Sequence, residues 1–137
     1  MLQRLTELAD LRVSFAFEST LASRALALRI GRLIEAGYEF HLVYLWLPDA
    51  DMAVQRVAER VLAGGHDVPE TTIRRRYHAG LQNFFRKYQP LATTWRAYDN
   101  SRSDRIRLIA QGRGTNVERA NDPKQWTLIE GAYGHAK

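Results

Sequence analysis

Phe40-His41-Leu42-Val43-Tyr44-Leu45-Trp46-Leu47 is the stretch whose reading decides the fold class. It is apolar at nearly every position, which predicts a strand covered on both faces, as in the parallel sheet of an α/β domain. On that reading His41 is a packed core residue. Pro48 and Asp49 end the strand, and the spacing predicts a helix over 50–63. Gly64-Gly65-His66-Asp67-Val68-Pro69 then breaks the pattern. A longer helix is predicted over 70–88, with Ile73, Tyr77, Leu81, Phe84 and Tyr88 on one face.

The same rhythm extends to both sides. Upstream, Leu26, Ile30, Leu33 and Ile34 make the apolar face of a helix predicted over 21–36, with Ser19 or Thr20 as cap and Gly37 as C-terminal stop. Before it, Val13-Ser14-Phe15-Ala16-Phe17 reads as a short buried strand, and Leu2–Ala9 as the end of a helix. Downstream, strands are predicted over 95–98 and 105–110, separated by a loop over 99–104, with a closing helix over 123–132. Alternating strands and helices predict a single α/β domain over 1–137, three-layered, with a mainly parallel sheet and helices on both faces.

Composition narrows the chemistry. The chain has no cysteine, and its four histidines show no metal-ligand spacing, so thiolate and zinc-hydrolase chemistry have no residues to use. No metal site is expected from these residues, and no side chain is assigned as catalytic. No apolar run approaches the roughly 20 residues of a membrane span, and no signal-peptide core opens the chain, which predicts a cytoplasmic protein. The formal charge is +5, and arginine supplies nearly all of the 20 basic residues. Its planar fork suits phosphate.

Phosphate chemistry fits the placement of the charges. Arg56 and Arg60 lie one helical turn apart, and Arg74-Arg75-Arg76 stand across the Gly64–Gly65 break. Two helices that offer arginines toward a common hinge are the elements of a kinase lid, which closes on the charge that develops in phosphoryl transfer. The alternative is that these arginines merely solvate two amphipathic helices. Glu18 and Thr20 follow the predicted strand over 13–17, where α/β proteins bind ligands; the alternative there is helix capping.

Four blocks, F-A-F-E-S-T-L-A-S-R, A-G-Y-E-F-H-L-V-Y-L-W-L-P, R-V-A-E-R-V-L-A-G-G-H-D-V-P-E-T-T-I-R-R-R-Y and W-R-A-Y-D-N-S, closely resemble the zeta toxin family over about residues 5–110. The resemblance implies a P-loop kinase fold, ATP with Mg2+, and phosphorylation of a hydroxyl on UDP-N-acetylglucosamine or a related substrate. It implies substrate binding by Glu18 and Thr20, and contact with ATP phosphates by Arg60. His66 stands where such toxins carry a second lid arginine, a role that Arg74, Arg75 or Arg76 would take over. Asp99, Asn100 and Ser101 fall at the adenine-side loop. The family's phosphate loop, G-x-x-x-x-G-K-[ST], occurs nowhere in the chain, whose three lysines, Lys87, Lys124 and Lys137, each follow a residue other than glycine. The chain therefore reads as the C-terminal portion of such a domain, inactive by itself.

Partners implied are a nucleotide, a sugar nucleotide, and either an antitoxin or a second copy. The P-loop strand of this class lies between the strands matching 12–17 and 39–47, so these two are expected to pair directly or to receive a neighbour's strand. The alternative function is a non-catalytic binding module that touches nucleic acid. It would need exposed aromatics interleaved with arginines on a sheet, whereas most aromatics here fall at core positions.

Overall fold

The computed structural model describes Glu7 and residues 13–134. Its elements are α1 (Arg24–Glu35), β1 (His41–Trp46), α2 (Ala50–Leu62), α3 (Glu70–Asn83), β2 (Thr94–Asp99), β3 (Arg107–Arg113), β4 (Asn116–Ala120) and α4 (Pro123–Tyr133). A π turn at Phe84–Tyr88 and a 3-10 turn at Gln89–Leu91 continue α3 toward β2. Apart from Glu7, the helix expected over Leu2–Ala9 lies outside the described residues.

The α/β class stands, with a mixed sheet in the order β1-β2-β3-β4. β1 and β2 run parallel, His41 beside Thr94 and Trp46 beside Asp99. Their connection passes through α2 and α3, the long crossover that parallel neighbours require. β3 is antiparallel to β2, and β4 to β3. Residues 100–106 are too few for a crossover, so the strand after them returns as a hairpin and the sheet is not mainly parallel.

Two expectations about the strands are corrected. Residues 13–17 form no strand, and Val13 and Phe17 are exposed. A strand exists only where a neighbour takes its N–H and C=O groups. Among the described residues β1 pairs with β2 alone, so the direct pairing of 13–17 with 40–47 is not made. Phe15 instead meets Phe17 at 6.3 Å and Tyr38 edge-on at 5.7 Å, and the Tyr38 hydroxyl donates to Val13 O at 3.1 Å.

The second correction concerns β1 itself, whose burial alternates. Leu42 and Trp46 are buried, while Val43 is 60% and Leu45 50% exposed. Apolar content along a strand does not reveal whether both of its faces are covered. The described residues therefore make two layers rather than three. His41 is exposed, not packed; its ring bonds Thr94 Oγ1 at 2.7 Å and Glu39 at 3.0 Å.

The covered face carries the core. α1 contributes Leu26, Ala27 and Ile30; the end of α3 and its π turn contribute Leu81, Phe84, Phe85 and Tyr88. These meet Leu42, Trp46, Trp95, Ala97, Ile109 and Ala110 from the sheet, and Trp126 and Ile129 from α4. Trp95 and Trp126 stack at 5.1 Å, and Phe84 stands edge-on to Trp95 at 5.8 Å. Such pairs add roughly 0.5–1.5 kcal/mol beyond the area they bury.

α1 and α2 end in the same way. Gly37 has φ +103°, with Gly37 N donating to Ile34 O and Tyr38 N to Leu33 O, both at 3.0 Å. Gly64 has φ +99°, with Gly64 N donating to Val61 O at 3.0 Å and Gly65 N to Arg60 O at 2.7 Å. This pattern is the Schellman stop, which needs a residue free to adopt positive φ. The Gly64–Gly65 break is thus a built terminus for α2.

Candidate functional site

The turn that bears Glu18 and Thr20 is held from below by α3. α1 starts at Arg24, later than expected, because its cap is Ser23, whose Oγ accepts from Leu26 N at 3.1 Å. Ser19 and Thr20 instead close local turns: Ser19 Oγ accepts from Leu21 N at 3.1 Å and Thr20 Oγ1 from Ala22 N at 3.5 Å. Leu21 is buried at φ +62°, a conformation that costs a non-glycine residue about 1–3 kcal/mol and persists only where its surroundings enforce it.

Three contacts enforce it. Asn83 Nδ2 donates to Leu21 O at 2.8 Å, and Tyr88 OH to Ser23 O at 2.5 Å. Gly80 lies against Thr20 O, where an added Cβ would come within 2.3 Å of that oxygen. Glu18 is exposed and has no partner among the described residues, so its carboxylate is available to a ligand.

α3 also carries the arginines. Arg74 is committed: it meets Asp51 at 2.7 Å and Glu70 at 3.0 Å, which pushes its guanidinium pKa up and ties the start of α2 to the start of α3. Arg75 and Arg76 are exposed, with no partner among the described residues. Arg76 is one turn from Gly80 along the same side of α3, about 6 Å in rise. The helix therefore brings Arg76 and the Thr20 turn to one side. Farther out, Arg60 and His66 are exposed at the α2 stop and in the connector, also without partners among the described residues. Tyr77 OH donates to Leu47 O at 2.7 Å and holds α3 to the end of β1; burial first, then the nearby Tyr133 and Asp49, push its pKa up to about 12.

Asp99, Asn100 and Ser101 come together at the end of β2. Asn100 N donates to Trp46 O at 2.8 Å, and Arg56 donates to Asn100 O at 2.7 Å, so Arg56 anchors this loop rather than joining Arg60 at the hinge. Asp99 accepts from Ser101 N at 2.8 Å and from Arg107 at 3.3 Å. Partial burial opposes its charge, but the bonds from Ser101 and Arg107 prevail and hold its carboxyl below the usual range.

Sequence reasoning missed Gly80, Asn83 and Tyr77 as the residues that place the site. A glycine inside a helical pattern was the available signal, since it commonly marks a close backbone approach. Among the described residues no three His, Asp or Glu side chains stand close enough to hold a metal ion by themselves. Nor is any helix among them long and apolar enough to cross a membrane. On the open sheet face Arg96 lies between Val43 and Gln111, and Arg119 beyond Gln111; Tyr98 is the single phenolic ring there. Among the described residues His41, also exposed on this face, is the other ring beside them.

Residues 1–113 match the family model described as "Zeta toxin". An uncharacterized protein of Haemophilus influenzae is 31% identical over 65 residues, 47% of this chain and 46% of the relative, so the similarity spans about half of each. No solved structure matches the chain.

Proposed function

The chain belongs to the zeta toxin family, and on that premise we propose that it forms the acceptor-binding and lid part of an ATP-dependent phosphotransferase. The acceptor is a hydroxyl of UDP-N-acetylglucosamine or a related sugar nucleotide. The observation that carries the reading is the double duty of α3, which buttresses the Glu18–Thr20 turn through Gly80 and Asn83 and presents Arg76 on the same side. Glu18 accepts hydrogen bonds from acceptor hydroxyls, and Thr20 supplies a second polar contact. Arg60, His66, Arg75 and Arg76 face the phosphates from the hinge and offset charge as it develops on the transferred group. Asp99, Asn100 and Ser101 border the nucleotide on its adenine side.

Positioning and charge stabilisation supply nearly all of phosphoryl-transfer catalysis. The 137 residues contain no G-x-x-x-x-G-K-[ST]. The chain by itself is therefore expected to bind a sugar nucleotide without turning over ATP. Binding of UDP-N-acetylglucosamine that weakens in Glu18→Gln, with folding intact, supports the reading. Turnover of ATP above a buffer blank that Arg60→Ala reduces would refute the inactivity. Unaltered sugar-nucleotide binding in Glu18→Gln would remove the acceptor site.

A further inference from the structure

The loop that joins β2 to β3 encloses a hollow of about 250 Å³ lined by Asp99, Arg102, Arg105 and Arg107. Its charges divide into a satisfied set and an unsatisfied one. Arg107 donates to Asp122 Oδ2 at 2.8 Å and to Asp99 Oδ2 at 3.3 Å. The second oxygens of those carboxylates accept from Gln125 N at 3.1 Å and Ser101 N at 2.8 Å. Both acids are thus occupied in fixing one guanidinium. Arg102 and Arg105 are exposed and have no partner among the described residues. Arg56 and Trp46 O secure the start of the loop through Asn100, so these two forks stand on an anchored frame.

We propose that this hollow is a binding site for a phosphoryl oxyanion, with Arg102 and Arg105 as its donors and the Asp99–Arg107–Asp122 bridge as its fixed floor. Three guanidinium groups against two carboxylates, Asp99 and Asp122, still leave the site electropositive, because both acids are paired with Arg107. Two unpaired planar forks match an anion with several oxygens better than a monodentate partner. The lining has no apolar side chain, so it offers nothing to sandwich a purine ring. Its volume falls below the roughly 300–1,000 Å³ of clefts that enclose a drug-sized ligand. It suits a phosphate or pyrophosphate group, free or at the end of an ester. The site goes beyond the proposed phosphotransfer reading and stands without it, since none of its donors belongs to the hinge.

Isothermal titration of the chain with inorganic pyrophosphate tests the site. One-to-one binding is expected, and the Arg102→Ala/Arg105→Ala double variant should weaken it by on the order of tenfold or more. Arg86→Ala, which removes the same charge elsewhere, should leave the affinity within a factor of about two. Phenyl phosphate separates the sources: tighter binding than inorganic phosphate assigns the site to an ester, and equal binding to the free ion. Absence of pyrophosphate binding, an unchanged affinity in the double variant, or an equal loss in Arg86→Ala overturns the proposal. A loss confined to Arg60→Ala moves the anion to the hinge and overturns it equally.

Discussion

α1 and α2 are near twins in local chemistry and differ in what they rest on. Each has a side-chain cap, Ser23 for α1 and Asp49 for α2, and each ends at a glycine with positive φ. Each is also entered past a carbonyl that a tyrosine holds, Ser23 O by Tyr88 and Leu47 O by Tyr77. Yet α1 buries Leu26, Ala27 and Ile30 in the core, whereas α2 buries only Ala50, at its first position. α2 leans on α3, which the exposed Arg74–Asp51 pair ties to its start. Good caps and a clean stop make a helix; they do not fix it to a core. A helix so weakly buried depends on polar ties, Asp51 to Arg74 and Arg56 to Asn100, more than on a core.

Truncation of each helix sets the largest expected contrast. Leu26→Ala should cost about 2–5 kcal/mol in urea unfolding, the range for a fully buried leucine. Val57→Ala on half-buried α2 should cost well under half of that. Equal losses would break the comparison and make α2 part of the core.

The tyrosine anchors give a smaller, pH-dependent effect. Burial pushes Tyr77 and Tyr88 from the ordinary 10.0 up to about 12, and pushes Tyr44 up as well. Because the folded pKa lies above the unfolded one, this contribution is complete below pH 10 and is lost as pH rises from 10 to 12. Unfolding free energy should fall across that window. Tyr88→Phe and Tyr77→Phe should each flatten the slope, at the entrance of α1 and of α2 respectively. A stability profile that stays level from pH 9 to 12 in the native chain would show the hydroxyls to be unperturbed.

The smallest effect is local. Arg74→Ala should leave the urea midpoint unchanged within error, since exposed ion pairs contribute little. It should nonetheless speed amide exchange along α2 while α1 keeps its protection. Slower or unchanged exchange in α2 would mean that something other than this pair governs its docking.

The sequence displayed most of the helices and three of the four described strands, and hid how the sheet is paired. Ile73, Tyr77, Leu81, Phe84 and Tyr88 announce α3 by their spacing, and Gly37 marks the end of α1, because helical hydrogen bonds are local. Strands need partners from afar. Val13–Phe17 has strand chemistry and no ladder to join, while polar Asn116–Ala120 is a strand because the Gly114 turn lays it against β3. The candidate site divides in the same manner. The arginines could be read as a group. That Arg74 joins Asp51 and that Arg56 serves Asn100 are tertiary facts with no trace in spacing, whereas Gly80 inside a helical pattern was a visible sign of close approach.

The parallel pairing of β1 with β2 has a consequence for biosynthesis. Its partners His41 and Thr94 are 53 residues apart, so β1 leaves the ribosome long before the strand that completes it. At roughly 5–20 residues per second, that interval is on the order of 3–10 s. During it the apolar run from Phe40 to Leu47 lacks β2, its partner among the described residues, whereas β2, β3 and β4 follow one another as adjacent hairpins. The antiparallel pairs of β2, β3 and β4 are local in sequence, whereas the pairing of β1 with β2 is not. Contact order sets the rate of that pairing, and a nascent-chain chaperone that shields residues 40–47 would matter most in those seconds.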